Sequence, residues 1–467
     1  MSVIPFVAPE PGEAGEAAAA QPETPAAVAA PGAAPAAAAP APAAGPVASG
    51  PTSASATPQP PPKPAYPPPA SSPTQAGPMG IRYDFNQGAR ILLPKRADGE
   101  PAWKVRLSDR DSGNVLFESE NRGAVVASSK RFYVRFRVEV WAGEELVLEH
   151  DHDCKDRDVL IQFPVGTLGD ILAWFPYAEK FRQAHGCRLT CTLSKLIIPL
   201  LRDAYPEITF VTHEEMVEQK LQDRFYATYS MGLFFDDKDC NWQPCDFRQV
   251  GLHRTAGYIL GVDPTEVAPR ITIEDDTRPI PEPYVCIAVQ SSSGCKMWNN
   301  PLGWREVVQH LKASGYRVIC IDQKPVHGSG LLYTHIPHGA EDQTGDRPLS
   351  ERARWLKHAD AFVGLSSGLA WLAWAAGARV VMISGFTHPI NEFTTPFRVI
   401  NWHACNSCWN DPKERFAHTD FMWCPRHQNT PRQFECTRLI TGAHVKAALD
   451  RALAEARTPA TKTRTTA

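Results

Sequence analysis

The sequence predicts an α/β protein with two Rossmann-like lobes, a small all-β domain ahead of them and a cysteine-rich metal finger near the end. Three observations carry this reading. Strand-like runs alternate with amphipathic helical stretches twice, over residues 156–280 and again over 281–401, the pattern of βαβ units feeding a parallel sheet. Residues 80–155 show period-two alternation without helical stretches. Cys405, Cys408, Cys424 and Cys436 then follow at spacings of x2, x15 and x11.

The chain has 467 residues, too many for one ordinary domain. Residues 1–79 hold 21 of its 43 prolines, with alanine supplying most of the rest. Such a segment cannot bury enough apolar surface to offset its ordering entropy, so it is expected to be a disordered tail. Tyr66, followed by three prolines, reads as part of a polyproline spacer.

From residue 80 the runs ARILLP, AWKVRLSD, NVLFESEN, AVVASSKRFYVRFRVEVWAG and ELVLEHDHD read as strands of a module of about 75 residues. Lys104, Arg106, Arg135 and Arg137 alternate there with Val105, Val134, Phe136 and Val138, as expected where one face is wet. In 156–280, DVLIQF is a buried strand, GTLGDILAWFPYAEKFRQAHG a glycine turn and helix, CRLTCTLS a strand, KLIIPLLRDAYP a helix and EITFVT a strand. FYATYSMGLFF and CNWQPCDF fit no clear element. In 281–401, YVCIAVQ, YRVICID, AFVGL, ARVVMIS and FRVIN are strands, with helices at GWREVVQHLKASG and RARWLKHA and another after GLSSG. Residues 402–438 form the finger, 439–456 a closing amphipathic helix and 457–467 a loose tail.

Composition excludes several function classes. A net charge of −3 points neither to nucleic acid nor to an anionic membrane surface. No run of 18 apolar residues exists, so no membrane span is expected. The proline-broken start MSVIPFVAPEPGE lacks the basic region of a secretory signal. Twelve cysteines are too few for a disulfide scaffold. Cys154, Cys187, Cys191, Cys240, Cys245, Cys286, Cys295 and Cys320 lack metal-like grouping and read as buried reduced thiols, which suits a cytoplasmic protein.

Three turns carry candidate chemistry. In GTLGDIL, Gly166 and Gly169 allow a sharp turn after a strand, with the helix beginning around Asp170. That carboxylate faces the carboxyl edge of the sheet, where ligands bind. It could accept a proton from an attacking hydroxyl, or simply serve the helix as a first-turn acid. In QSSSGCKMW, Lys296 and free backbone amides suit a phosphate oxygen, although the P-loop spacing is absent and a solvated loop lysine is the alternative. In GLSSGL, Gly364, Ser366, Ser367, Gly368 and Leu369 lead into an apolar helix whose unpaired amides favour an anion. Ordinary serine capping is the alternative there, and Trp371 and Trp374 read as core.

The CxxC at 405–408 has a metal-ligand spacing, and Cys424 with Cys436 completes a four-thiolate set. Thiolates suit zinc or iron, and a site closed by four of them is structural. His403, His418 and His427 are alternative ligands.

GTLGDILAW, SSSGCKMWNNPLGW, FVGLSSGLAWLAWAAG, SGFTHPINEF and CNSCWND resemble bacterial autotransporter heptosyltransferases over about residues 80–455. The resemblance implies a GT-B fold with an added N-terminal β-domain and an iron-binding finger. It implies transfer of heptose from ADP-heptose to serines of an autotransporter passenger, in the cytoplasm, by a ring-shaped dodecamer. Asp170 would be the general base, Lys296 the phosphate lysine and 366–369 the diphosphate turn. Thr167, Leu168 and Gly169 would be further donor contacts, and no magnesium is expected. The related lipopolysaccharide heptosyltransferases usually carry an acid where this chain has Ser366, so a negative charge near the donor is expected to be missing. Rival readings are a heptosyltransferase with a glycolipid acceptor and a non-catalytic metal-stapled scaffold.

Overall fold

The computed structural model describes residues 66–457. Of the predicted tails at 1–79 and 457–467, residues 1–65 and 458–467 lie outside the described residues. The first sheet has eight strands. Thr209–Val211, Arg188–Thr192, Asp158–Gln162, Ala227–Ser230 and Arg82–Asn86 run parallel in that order. Arg90–Leu92 and Val125–Ala127 extend the sheet antiparallel, and Gln75–Ala76 pairs with Arg82–Asn86. The second sheet is six-stranded and all parallel. Its order is Glu341–Asp342, Arg317–Cys320, Tyr284–Ile287, Ala361–Leu365, Val380–Ile383 and Arg398–Val399.

The parallel strands are apolar and buried on both faces, as helix-covered strands must be. Leu168–His185 covers the first sheet, while Gly303–Ala313 and Gly442–Arg457 pack together on the second. The lobes share a core: Ile171, Trp174 and Phe181 of the first belong to the same buried cluster as Phe362, Trp371 and Phe393 of the second. Helices Leu168–His185 and Gly368–Ala375 meet at that junction.

Several expectations change. The module at 80–155 divides, because its strands at 82–86, 90–92 and 125–127 complete the first α/β sheet. Only Trp103–Asp109, Val115–Asn121, Phe136–Ala142 and Glu145–Asp151 form a separate antiparallel sheet. The long run at 124–143 breaks into two strands in different sheets. Helix KLIIPLLRDAYP shrinks to Ile198–Leu201. The unassigned FYATYSM supplies Ala227–Ser230, a central strand whose tyrosine and serine obscure its burial.

The largest correction concerns 66–79, expected to be disordered. This stretch is a hydrogen-bonded strap. Arg90 donates to the Ala70 carbonyl at 2.8 Å, Arg82 to Pro73 at 2.7 Å, and Thr74 Oγ1 to Phe225 at 2.7 Å. Its prolines lack backbone N–H groups, so arginines from the sheet satisfy strap carbonyls that a ladder would otherwise pair, while the strap's own Thr74 donates back to Phe225.

Candidate functional site

The strand Asp158–Gln162 ends in the turn 163–167 and the helix starts at Leu168, two residues before the expected Asp170. Gly166 has φ +92°, a conformation that needs glycine. Gly169 is helical, and close approach is what requires it. A Cβ there would lie 2.9 Å from Trp371 Cδ1 and 3.4 Å from Gly368 Cα. A Cβ on Gly368 would in turn lie 3.1 Å from Leu168 Cβ. The glycine turns of the two lobes therefore touch, and their helix N-termini converge on one place.

Asp170 sits in the first helical turn, where its charge suits the dipole, without being the N-cap residue. It is partly exposed yet closely ringed by protein. Burial pushes its carboxyl up to about 6, against the opposing pull of Lys296 and the Thr167 hydroxyl. Thr167 Oγ1 is buried and makes no hydrogen bond of ordinary geometry, so its influence is the weaker. A carboxylate poised near neutrality with a cation in reach is equipped for proton transfer.

Lys296 reaches this place from the short helix Gly294–Lys296. Its ammonium lies 5.6 Å from the Phe386 ring and 5.7 Å from the Trp409 ring. It forms no ion pair among the described residues. The aromatic faces hold the charge without neutralising it, which leaves it available to an anion.

In the second-lobe turn, Ser367 is the N-cap position of Gly368–Ala375, but its side chain caps no amide. The amides of Gly368 and Leu369 belong to the first turn, where no intrahelical acceptor exists. Gly364 departs from expectation. It lies buried in the strand Ala361–Leu365, and a Cβ there would strike the Phe362 ring at 2.4 Å. Ser366 departs too. Its hydroxyl donates to Glu392 Oε1 at 2.5 Å and accepts from Thr387 Oγ1 at 3.1 Å. Glu392 is buried and paired with Arg398 at 2.8 Å. A carboxylate therefore does stand beside this turn, supplied 26 residues downstream and already neutralised.

Cys405, Cys408 and Cys424 share a small apolar cluster with Phe386, Trp423 and Phe434. Cys436 is in electrostatic reach of Cys405, Cys408 and Cys424, and burial pushes its thiol well up. Burial raises the Cys408 thiol to about 12. The tightest ligand-like group among the described residues is different: Cys405, His427 and Glu435 place one ligand atom each within 4.8 Å of one another. Glu435 is engaged there, accepting from the Cys405 amide at 3.1 Å and pairing with Arg432 at 2.6 Å.

Cys295, set aside from the sequence as an isolated thiol, belongs to this same cluster beside Lys296. Finger and lysine turn are also joined by the Gly294 amide, which donates to Phe421 at 2.9 Å. The finger reaches the first lobe through Asn410 to the Arg248 carbonyl at 2.9 Å and an Arg415–Asp236 ion pair at 3.0 Å. Surface concavities of about 490 Å³ near Arg254 and about 330 Å³ near Trp242 lie apart from the Asp170 and Lys296 cluster. No helix among the described residues is long and apolar enough to cross a membrane.

Residues 77–144 match the N-terminal domain of glycosyltransferase TibC, and residues 261–419 match glycosyltransferase family 9 (heptosyltransferase). The autotransporter heptosyltransferase BAHTCr of Citrobacter rodentium is 55% identical over 377 residues, 80% of this chain and 90% of that protein. TibC of Escherichia coli O78:H11 is 54% identical over 378 residues, again 80% and 90%. Its crystal structure, described as a dodecameric iron-containing heptosyltransferase in complex with ADP-D-β-D-heptose, superposes with a TM-score of 0.78 at 53% identity. That match covers 83% of this chain and 99% of that one. BimC of Burkholderia thailandensis, an inactive autotransporter heptosyltransferase, is 47% identical over 371 residues, 79% of this chain and 85% of that protein. The two α/β lobes and N-terminal β-domain are those of this group, and the chain belongs to the autotransporter heptosyltransferase family.

Proposed function

We propose that this protein transfers heptose from ADP-heptose to serine hydroxyls of an autotransporter passenger. The observation that carries the reading is the meeting of Asp170, Lys296 and the two glycine turns at one point between the lobes. Asp170 takes the proton of the acceptor serine as its oxygen bonds to the anomeric carbon. The bond from that carbon to the diphosphate oxygen breaks, and ADP departs with the electron pair. Lys296 and the first-turn amides of Gly368 and Leu369 stabilise the charge that builds on it. Thr167, Leu168 and Gly169 line the donor's approach through backbone, and Ser367 borders the diphosphate. Gly364 and the Ser366 side chain instead support that turn from behind. A single candidate base favours inversion.

Cys405, Cys408, Cys424 and Cys436 would hold one iron ion, by likeness to iron-containing TibC, with zinc as the alternative. Such an ion supplies a structural cross-link that ties the finger together. The finger's contacts with Gly294 and Phe386 would then keep Lys296 in place. A dodecameric ring in the cytoplasm, without magnesium, completes the reading.

A second reading has a specific observation behind it, because BimC is described as inactive at 47% identity. The test is the intact mass of a passenger incubated with ADP-heptose and either wild type or Asp170→Asn. Heptose-sized increments with wild type alone support the transferase and its base. Increments with both remove Asp170 from that role. Donor binding without increments on protein favours a glycolipid acceptor, and neither binding nor transfer favours the scaffold.

A further inference from the structure

We propose that Tyr66 is a positioning residue for the reaction at Asp170, its ring walling the acceptor side of that carboxylate. This rests on the transferase reading above. The strap is built for such placement. Gln162, the last residue of Asp158–Gln162, donates through Nε2 to the Pro67 carbonyl at 3.0 Å. Pro67 and Ala70 are buried, so the strap is held against the sheet on both sides of 68–69. Tyr66 is thereby delivered to the carboxyl edge of the first sheet, where ligands of open α/β sheets bind.

The phenol is seated there. Its hydroxyl donates to the Met231 carbonyl at 2.6 Å, one residue beyond the central strand Ala227–Ser230. Met231 itself donates to Gln162 at 2.8 Å, which ties the two strand ends together under the ring. A Cβ on Gly232 would come within 2.8 Å of the phenol oxygen, so this glycine makes room for it. The ring centroid stands 6.4 Å from that of His213, whose Nε2 bonds to the Phe163 carbonyl at 2.9 Å. Phe163 opens the turn 163–167 that leads into the helix carrying Asp170.

The groups in electrostatic reach of Asp170 are Lys296 from the second lobe, Thr167 from its own turn and Tyr66 from the strap. Burial holds the Tyr66 phenol in its neutral form and lowers His213, so Tyr66 and His213 contribute no charge near neutral pH. Tyr66 thus covers Asp170 without pairing it. Its hydroxyl spends its proton on Met231 and keeps its lone pairs for a donor group on the acceptor. Removing the ring would admit water, lower the Asp170 carboxyl and loosen the acceptor.

The test is initial-rate kinetics of the full chain from pH 5 to 8, with passenger and ADP-heptose each varied while the other is saturating, for wild type, Tyr66→Phe and Tyr66→Ala. The expected result for Tyr66→Ala is an acceptor KM raised about tenfold, a donor KM unchanged and an acidic limb displaced to lower pH. Tyr66→Phe should keep the wild-type limb, because the ring remains. Wild-type acceptor KM and limb in Tyr66→Ala would overturn the proposal, as would equal loss of donor affinity. Tyr66→Leu, which keeps apolar bulk without the phenol, serves if the alanine variant fails to fold. It should retain most of the limb and lose acceptor affinity. An inactive wild type would dispose of the transferase reading itself.

Discussion

The two glycine turns look alike in sequence and do opposite things. GTLGD and GLSSG each follow a buried strand and open a helix, and the two helices touch at their N-termini. In the first, the acid stands at the junction with no hydrogen-bonded partner of its own beyond the weak pull of Thr167, and burial holds it near neutrality. In the second, the corresponding polar group, Ser366, is consumed by the buried Glu392–Arg398 pair. One turn keeps a carboxylate for chemistry, and the other spends the Ser366 hydroxyl to stiffen a backbone that can cradle an anion. A motif does not assign a role. The partners of its side chains do.

This contrast can be broken most sharply by paired substitutions. Asp170→Asn should reduce transfer by about 10²–10⁴-fold, the range of a lost general base, with no loss of thermal stability. Glu392→Ala should do the reverse. It strands Arg398 as a buried charge, at about 3–5 kcal/mol, and chemical denaturation should show the loss directly. Equal effects on activity and stability in both variants would erase the distinction.

A subtler pair probes the contact between the turns. Gly169→Ala drives a methyl to 2.9 Å from the Trp371 indole, while Gly368→Ala meets Leu168 at 3.1 Å. The first should cost about 1–3 kcal/mol as overpacking and the second less, since a contact at 3.1 Å asks for a smaller shift than one at 2.9 Å. Differential scanning calorimetry on the two variants gives the order, and a milder Gly169→Ala would mean that the helices are less tightly seated.

The smallest effect is in pH. Asp170 must be ionised to accept a proton, so kcat/KM should fall as pH drops through about 6. The stability sign is opposite. A carboxyl raised in the folded state favours folding while protonated, and that advantage disappears as pH rises through its folded value. Asp170→Asn should therefore be more stable than wild type above pH 6, and the two should converge near pH 4. A rate limb unmoved in Asp170→Asn residual activity would assign the titration to another group.

Much of this was legible in the chain, for local reasons. Strand and helix periods, the left-handed glycine at 166, the acid in a first helical turn and the CxxC spacing are properties of a few consecutive residues. These placed both lobes and set Asp170 in a first helical turn. What failed involved partners far apart in sequence. The strands at 82–86 and 90–92 have the same period in either sheet, so period could not say which sheet they would join. Proline content made 66–79 look like tail, although carbonyls alone are enough to hold a strap when arginines donate to them.

The sequence by itself determined most of the strands, helices and turns of the two lobes, and which polar residues stand at the glycine turns, because backbone conformation is governed largely by near neighbours. Only the tertiary structure decided which of those residues are free. Ser366 is silenced by Glu392 26 positions away, Tyr66 is seated by Met231 across 165, and Cys295 joins cysteines more than a hundred residues downstream. Availability for chemistry depends on who satisfies each polar group, and buried polar groups find their partners through space rather than along the chain.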